Sequence, residues 1–94
     1  MRRGHITTTA WLDDTRHEVE VEYTLPYGEP IGATILREVV RSEYTAHGDR
    51  LVYAPTARRG ERLTDAEVDA HRDEWEALWA ERMEEERYLQ GAQS

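Results

Sequence analysis

Four histidines, His5, His17, His47 and His71, are the residues of this 94-residue chain best suited to proton transfer or metal ligation near neutral pH. No two stand four apart, the spacing that brings two imidazoles onto one helix face, and no cysteine is present to supply a thiolate. Neither a metal centre nor a cofactor is expected. His71-Arg72-Asp73 matches the tripeptide of a kinase catalytic loop, but it lies in a helical pattern and no glycine-rich phosphate loop accompanies it, so the match is coincidental. Asp13 and Asp14 set two carboxylates side by side. Acid–base catalysis by such a pair needs a sheltered cleft, and a domain this small has little volume for one. Gly-x-Ser-x-Gly elbows and cysteine nucleophiles are absent. The residues point to a protein that binds and does not catalyse.

Charge is the remaining resource. Twenty acidic residues stand against twelve basic ones, a net charge of −8, and every base is arginine. Residues 64–89 hold ten acids and three arginines, a balance of −7, whereas residues 1–63 hold ten acids and nine arginines, a balance of −1. Such a surface repels DNA, RNA and anionic membranes, so the expected partner is a protein with a basic face. As a helix, Asp65 to Glu86 spans about 32 Å, with about one net charge per 4 to 5 Å. Duplex DNA carries about one per 1.7 Å. Sign and rough extent match a nucleic-acid backbone, but density does not. The candidate partner-binding residues are Asp73, Glu74, Glu81, Glu84 and Glu85, with Trp11 and Tyr27 as apolar anchors. Keeping a small domain in solution is the competing role for the same carboxylates. Arg58, Arg59 and Arg62 form the one basic cluster, read either as an anion contact beside a helix start or as a loop paired with Glu61 and Asp65.

The elements that must position these groups are legible in outline. Ile6 to Leu12 is rich in β-branched and aromatic residues and reads as a strand over about 5–12. Asp13-Asp14-Thr15 is a turn, and His17 to Leu25 alternates strictly, with Val19, Val21, Tyr23 and Leu25 on one face and Glu18, Glu20, Glu22 and Thr24 on the other. Two prolines and two glycines mark Pro26 to Gly32 as a loop. Residues 34–45 read as a third strand, with a helix as the alternative, and residues 50–54 as a fourth before Pro55. Thr64-Asp65-Ala66-Glu67 fits a capping box flanked by the staple pair Leu63 and Val68, opening a helix to about Leu89 before Gly91 and a small polar tail. On that helix Val68, Trp75, Trp79 and Met83 share a sector, bordered by Leu78, His71, Arg72 and Arg82. Glu86 returns to the centre of that sector, so the last turns are expected off the sheet or under another chain. The fold class is α+β, a small antiparallel sheet of about four strands packed on one long C-terminal helix, in a single domain.

A core without Phe or Cys, drawn from a chain that is 38% hydrophobic, is thin, which favours a complex or a homodimer. No apolar run suits a signal peptide or a membrane span.

Val19-Glu20-Val21-Glu22-Tyr23, then Pro26-Tyr27-Gly28-Glu29-Pro30, then Ile35 to Val40, resembles a pattern in small bacteriophage accessory proteins, in which an alternating strand leads through a Pro/Gly loop to another strand and a charged helix. The resemblance covers about half of the chain and assigns no functional residue. It implies an accessory product of a phage or mobile element acting in the cytoplasm of a bacterial host, in the manner of anti-CRISPR inhibitors that block a host nucleic-acid-binding protein. A homodimeric virion or assembly component and an antitoxin-like neutraliser of a basic partner are the alternatives.

Overall fold

The computed structural model describes residues 2–92, and the side chains of residues 2–87. Four strands, β1 (Arg3–Leu12), β2 (Thr15–Thr24), β3 (Glu29–Thr45) and β4 (Gly48–Ala54), form an antiparallel meander in that order, and one helix, α1 (Asp65–Ala92), packs on one face. This is the expected α+β arrangement. The polar tail read at Gln93-Ser94 lies outside the described residues.

β1 and β2 pair in unbroken register from Arg3 opposite Thr24 to Leu12 opposite Thr15. The link is the two-residue turn Asp13-Asp14, with φ of 50° and 67°. Both values lie in the left-handed region, which gives a turn whose twist matches that of the strands, and aspartate is among the few non-glycine residues that tolerate it. The alternation in β2 places Val19, Val21 and Tyr23 wholly inside and Glu20 outside.

β3 ends at Thr45 as the sequence reading has it, but begins earlier than expected. Residues 33–45 are strand and not helix, and the strand begins at Glu29, inside the segment expected to be loop. Pro30 is buried opposite Tyr23, next to a register shift between Glu22 and Tyr23. A proline lacks the N–H that a regular ladder needs, and an irregularity is where a sheet admits one. A second shift, between Glu18 and Val19, skips Leu36. A third shift, in the pairing with β4 between Val39 and Arg41, skips Val40, and Val40 and Tyr44 are exposed. On its other edge β3 is covered twice. β4 pairs with residues 38–45, and residues 60–63 continue along 33–35, where Gly60 N donates to Ile35 O, Ile35 N to Glu61 O and Leu63 N to Ala33 O at 2.8–2.9 Å.

The capping box forms as the sequence requires. Glu67 N donates to Thr64 Oγ1 at 3.2 Å, and Thr64 N to Glu67 Oε1 at 2.9 Å. Leu63 and Val68, the staple pair, are buried. Trp75 is fully enclosed against Val19, Val21, Tyr23 and Ile35, and Tyr23 Oη donates to the Trp75 carbonyl at 2.8 Å. Trp79 packs on Tyr23 with ring centroids 4.7 Å apart and lies against Gly4 and Gly28. A Cβ on Gly4 would stand 2.8 Å from the indole, and one on Gly28 would enter it, so the two glycines form the socket for this ring. Beyond Trp79 the helix leaves the sheet: Glu86, at the centre of the inward sector, and Arg82, at its border, are exposed. The helix runs three residues past the expected end at Leu89, to Ala92.

Candidate protein-binding surface

The helix packs its tryptophans inward and so turns the opposite side to solvent. Asp73, Glu74, Glu81, Glu84 and Glu85 are all exposed and fall within a sector of about 120°, taking about 100° per residue. Among the described residues none of the five enters an ion pair. The helix acids that do have partners sit elsewhere. Glu67 is held in the cap, and Asp69 accepts from Arg72 at 2.9 Å. Arg72 also reaches Glu29 and the Pro30 carbonyl at 3.5 and 3.4 Å, tying α1 to the start of β3. The field of the helix is thus one-sided and uncompensated along its outer face.

Of the three strand glutamates, which alternation places on the other side of the sheet, Glu20 is exposed and among the described residues unpaired, while Glu18 and Glu22 are neutralised, so the sheet carries no row of bare carboxylates like that of the helix. Glu18 is gripped by Arg37 through two hydrogen bonds, 2.9 and 3.3 Å, and the Arg37 guanidinium lies 3.6 Å over the Tyr53 ring. Glu22 accepts from Arg3 at 3.0 Å and from Arg62 at 3.5 Å, with His5 at 3.6 Å. The Arg3 hydrogen bond, joined by the positive charges of Arg3 and Arg62, holds the Glu22 carboxyl below its ordinary range. The basic cluster divides accordingly. Arg58 pairs with Glu61 at 2.9 Å, Arg62 turns to Glu22, and Asp65 receives neither. These cross-strand partners depend on register, which residue types alone do not reveal.

The two anchor candidates are separated. Tyr27 is 89% exposed in the turn after β2, next to the Gly28 that seats Trp79, and so stands beside the helix. Trp11 is 64% exposed on the sheet face that carries Arg16 and Glu18, away from α1. A flat partner seated on the helix reaches Tyr27 but not Trp11.

The histidines disperse. His17 is buried in the core opposite Ala10 and Glu38, His71 stacks on Trp75 and bonds the Glu67 carbonyl at 2.8 Å, His5 neighbours Glu22, and His47 lies in the β3–β4 turn. Among the described residues no group of three His, Asp or Glu side chains is gathered in a metal-binding arrangement, and no helix is long and apolar enough to cross a membrane. A cleft of about 420 Å³ opens over Arg37, Tyr53 and Arg59, and another of about 380 Å³ between Leu25, Pro26, Trp79 and Met83. In the first, Arg37 is already committed to Glu18 and Tyr53. The second is a shallow apolar groove along the helix where it leaves the sheet. No family model, curated protein or solved structure matches the chain.

Proposed function

We propose that the chain is a non-catalytic binding module that lays the outer face of α1 on a basic surface of a nucleic-acid-binding protein and thereby occupies it, as a phage-borne or mobile-element inhibitor of anti-CRISPR type would. The observation that carries this reading is the row of five exposed carboxylates, Asp73, Glu74, Glu81, Glu84 and Glu85, with no ion-pair partner among the described residues, on the face opposite the core. A carboxylate row serving local stability would be expected to pair with arginines, as Glu18 and Glu22 do on the sheet. Long-range attraction by such a row speeds encounter and excludes acidic competitors, while affinity comes from a few desolvated contacts, for which Tyr27 is placed.

The test is affinity capture from a bacterial host lysate with the wild-type chain and with the variant Glu81→Arg, Glu84→Arg, Glu85→Arg. The wild type is expected to retain a basic nucleic-acid-binding protein that duplex DNA or RNA displaces. The variant should associate at least about 10-fold more slowly at low salt and lose the salt dependence. Equal association of the two proteins at low salt removes the helix from the mechanism.

A further inference from the structure

β1 is a sheet edge without the usual protection. Leu25 N donates to Arg2 O at 3.1 Å, and the register places Arg3 opposite Thr24. The even-numbered residues of β1 therefore bond to β2, and the N–H and C=O groups of Arg3, His5, Thr7, Thr9 and Trp11 point away from the sheet. Edges are commonly blunted by proline, lysine, a bulge or brevity. β1 has none of these: it is ten residues long, regular in register, and carries Thr7-Thr8-Thr9 at its centre. The opposite edge differs. β4 has seven residues, begins Gly48-Asp49-Arg50, and is interrupted after Ala54 by Pro55 and the turn to Gly60.

The sequence of this edge is complementary to itself. Reading outward from Thr8 in both directions, Thr7 meets Thr9, Ile6 meets Ala10, His5 meets Trp11, Gly4 meets Leu12, Arg3 meets Asp13 and Arg2 meets Asp14. We propose that β1 pairs antiparallel with β1 of a second copy about a two-fold axis through Thr8, joining the two sheets into one of eight strands. In this register the outward-pointing backbone groups of Thr7 face those of Thr9, and those of His5 face those of Trp11. Ile6 and Ala10 continue the core face, and each end of the seam sets two arginines against the two turn aspartates. Arg3 already bonds Glu22 at 3.0 Å, but a guanidinium has five donors and accommodates a second carboxylate. The pairing also gives a role to Trp11, which the helix surface cannot use. A shift of the axis to Thr7 would put Arg2 opposite Leu12 and leave both aspartates unmatched. Charge selects the second copy as occupant and fixes the register.

Sedimentation equilibrium and cross-linking test this. The wild type is expected to dimerise. Thr7→Pro removes an outward N–H while leaving the β1–β2 ladder intact, so it should keep the wild-type circular dichroism and weaken the dimer by roughly 100-fold, the loss of two symmetry-related hydrogen bonds. The chain has no cysteine, so a disulfide in Thr8→Cys joins two copies. It should form readily in Thr8→Cys and poorly in Thr7→Cys. A wild type that stays monomeric to its solubility limit, a dimer that survives Thr7→Pro, or preferential cross-linking through Thr7→Cys overturns the proposal.

Discussion

At the scale of single residues, the tightest constraint is the seat of Trp79. Gly28 has φ of +71° and no room for a Cβ, because the indole occupies that space. Gly28→Ala therefore combines backbone strain with a clash, and urea unfolding should show a loss of about 2 kcal/mol or more. Adding Trp79→Leu should recover part of that loss, since the two positions share one volume. Tyr23 presents a second test. Its hydroxyl is enclosed and bonded to the Trp75 carbonyl, and burial pushes its pKa up to about 12. The folded-state value lies above the ordinary one of about 10, so this stabilisation is complete below pH 10 and is lost as pH rises toward 12, by about 2 to 3 kcal/mol in all. Tyr23→Phe should cost about 1 to 2 kcal/mol near neutrality and remove this part of the alkaline decline, which unfolding curves at neutral and alkaline pH will separate. Among the described residues, the buried His17 Nδ1 and Trp75 Nε1 have no protein hydrogen-bond partner.

At the scale of elements, the helix start is the most local feature of the chain and the most legible. Thr64 and Glu67 satisfy each other's backbone donors within four residues, so no distant contact is needed to predict it. Thr64→Ala should cost about 1 kcal/mol, read as a fall of about 4 to 8 °C in Tm, and Thr64→Ser should restore most of it. β2 was equally clear, because one buried face imposes a period of two. β3 was not. Its buried proline and its three register irregularities answer to neighbours on both edges, and the alternation is out of phase on either side of Leu36. Loop chemistry in Pro26 to Gly32 thus yielded to pairing with β2 from Glu29 onward.

At the scale of the whole molecule, the two sides of the layered structure carry different electrostatics. On the sheet side, arginines neutralise Glu18 and Glu22, while on the helix side the outer carboxylates enter no ion pair among the described residues. Charge reversal at Glu81, Glu84 and Glu85 should consequently leave folding stability within about 0.5 kcal/mol of wild type by chemical denaturation, so that any change in association reports on binding and not on the fold. The helix face and the β1 edge point in different directions, so that a paired sheet of two copies leaves both acidic faces free. Both surfaces are exposed in the single chain.

The features legible in residue order alone are local or periodic: the α+β class, the turn after β1, the alternation of β2, the cap at Thr64, and an inward stripe of tryptophans with carboxylates outward. Each follows from neighbours within one or two turns of chain, where steric and hydrogen-bond preferences act without a partner. Only the tertiary structure decided which charges are free, because that depends on register. The same residue type is neutralised at Glu18, where β3 sets Arg37 opposite, and at Glu22, which Arg3 reaches diagonally and Arg62 from the connector, and among the described residues it is left without an ion pair at Glu81, Glu84 and Glu85 on the outer face of the helix.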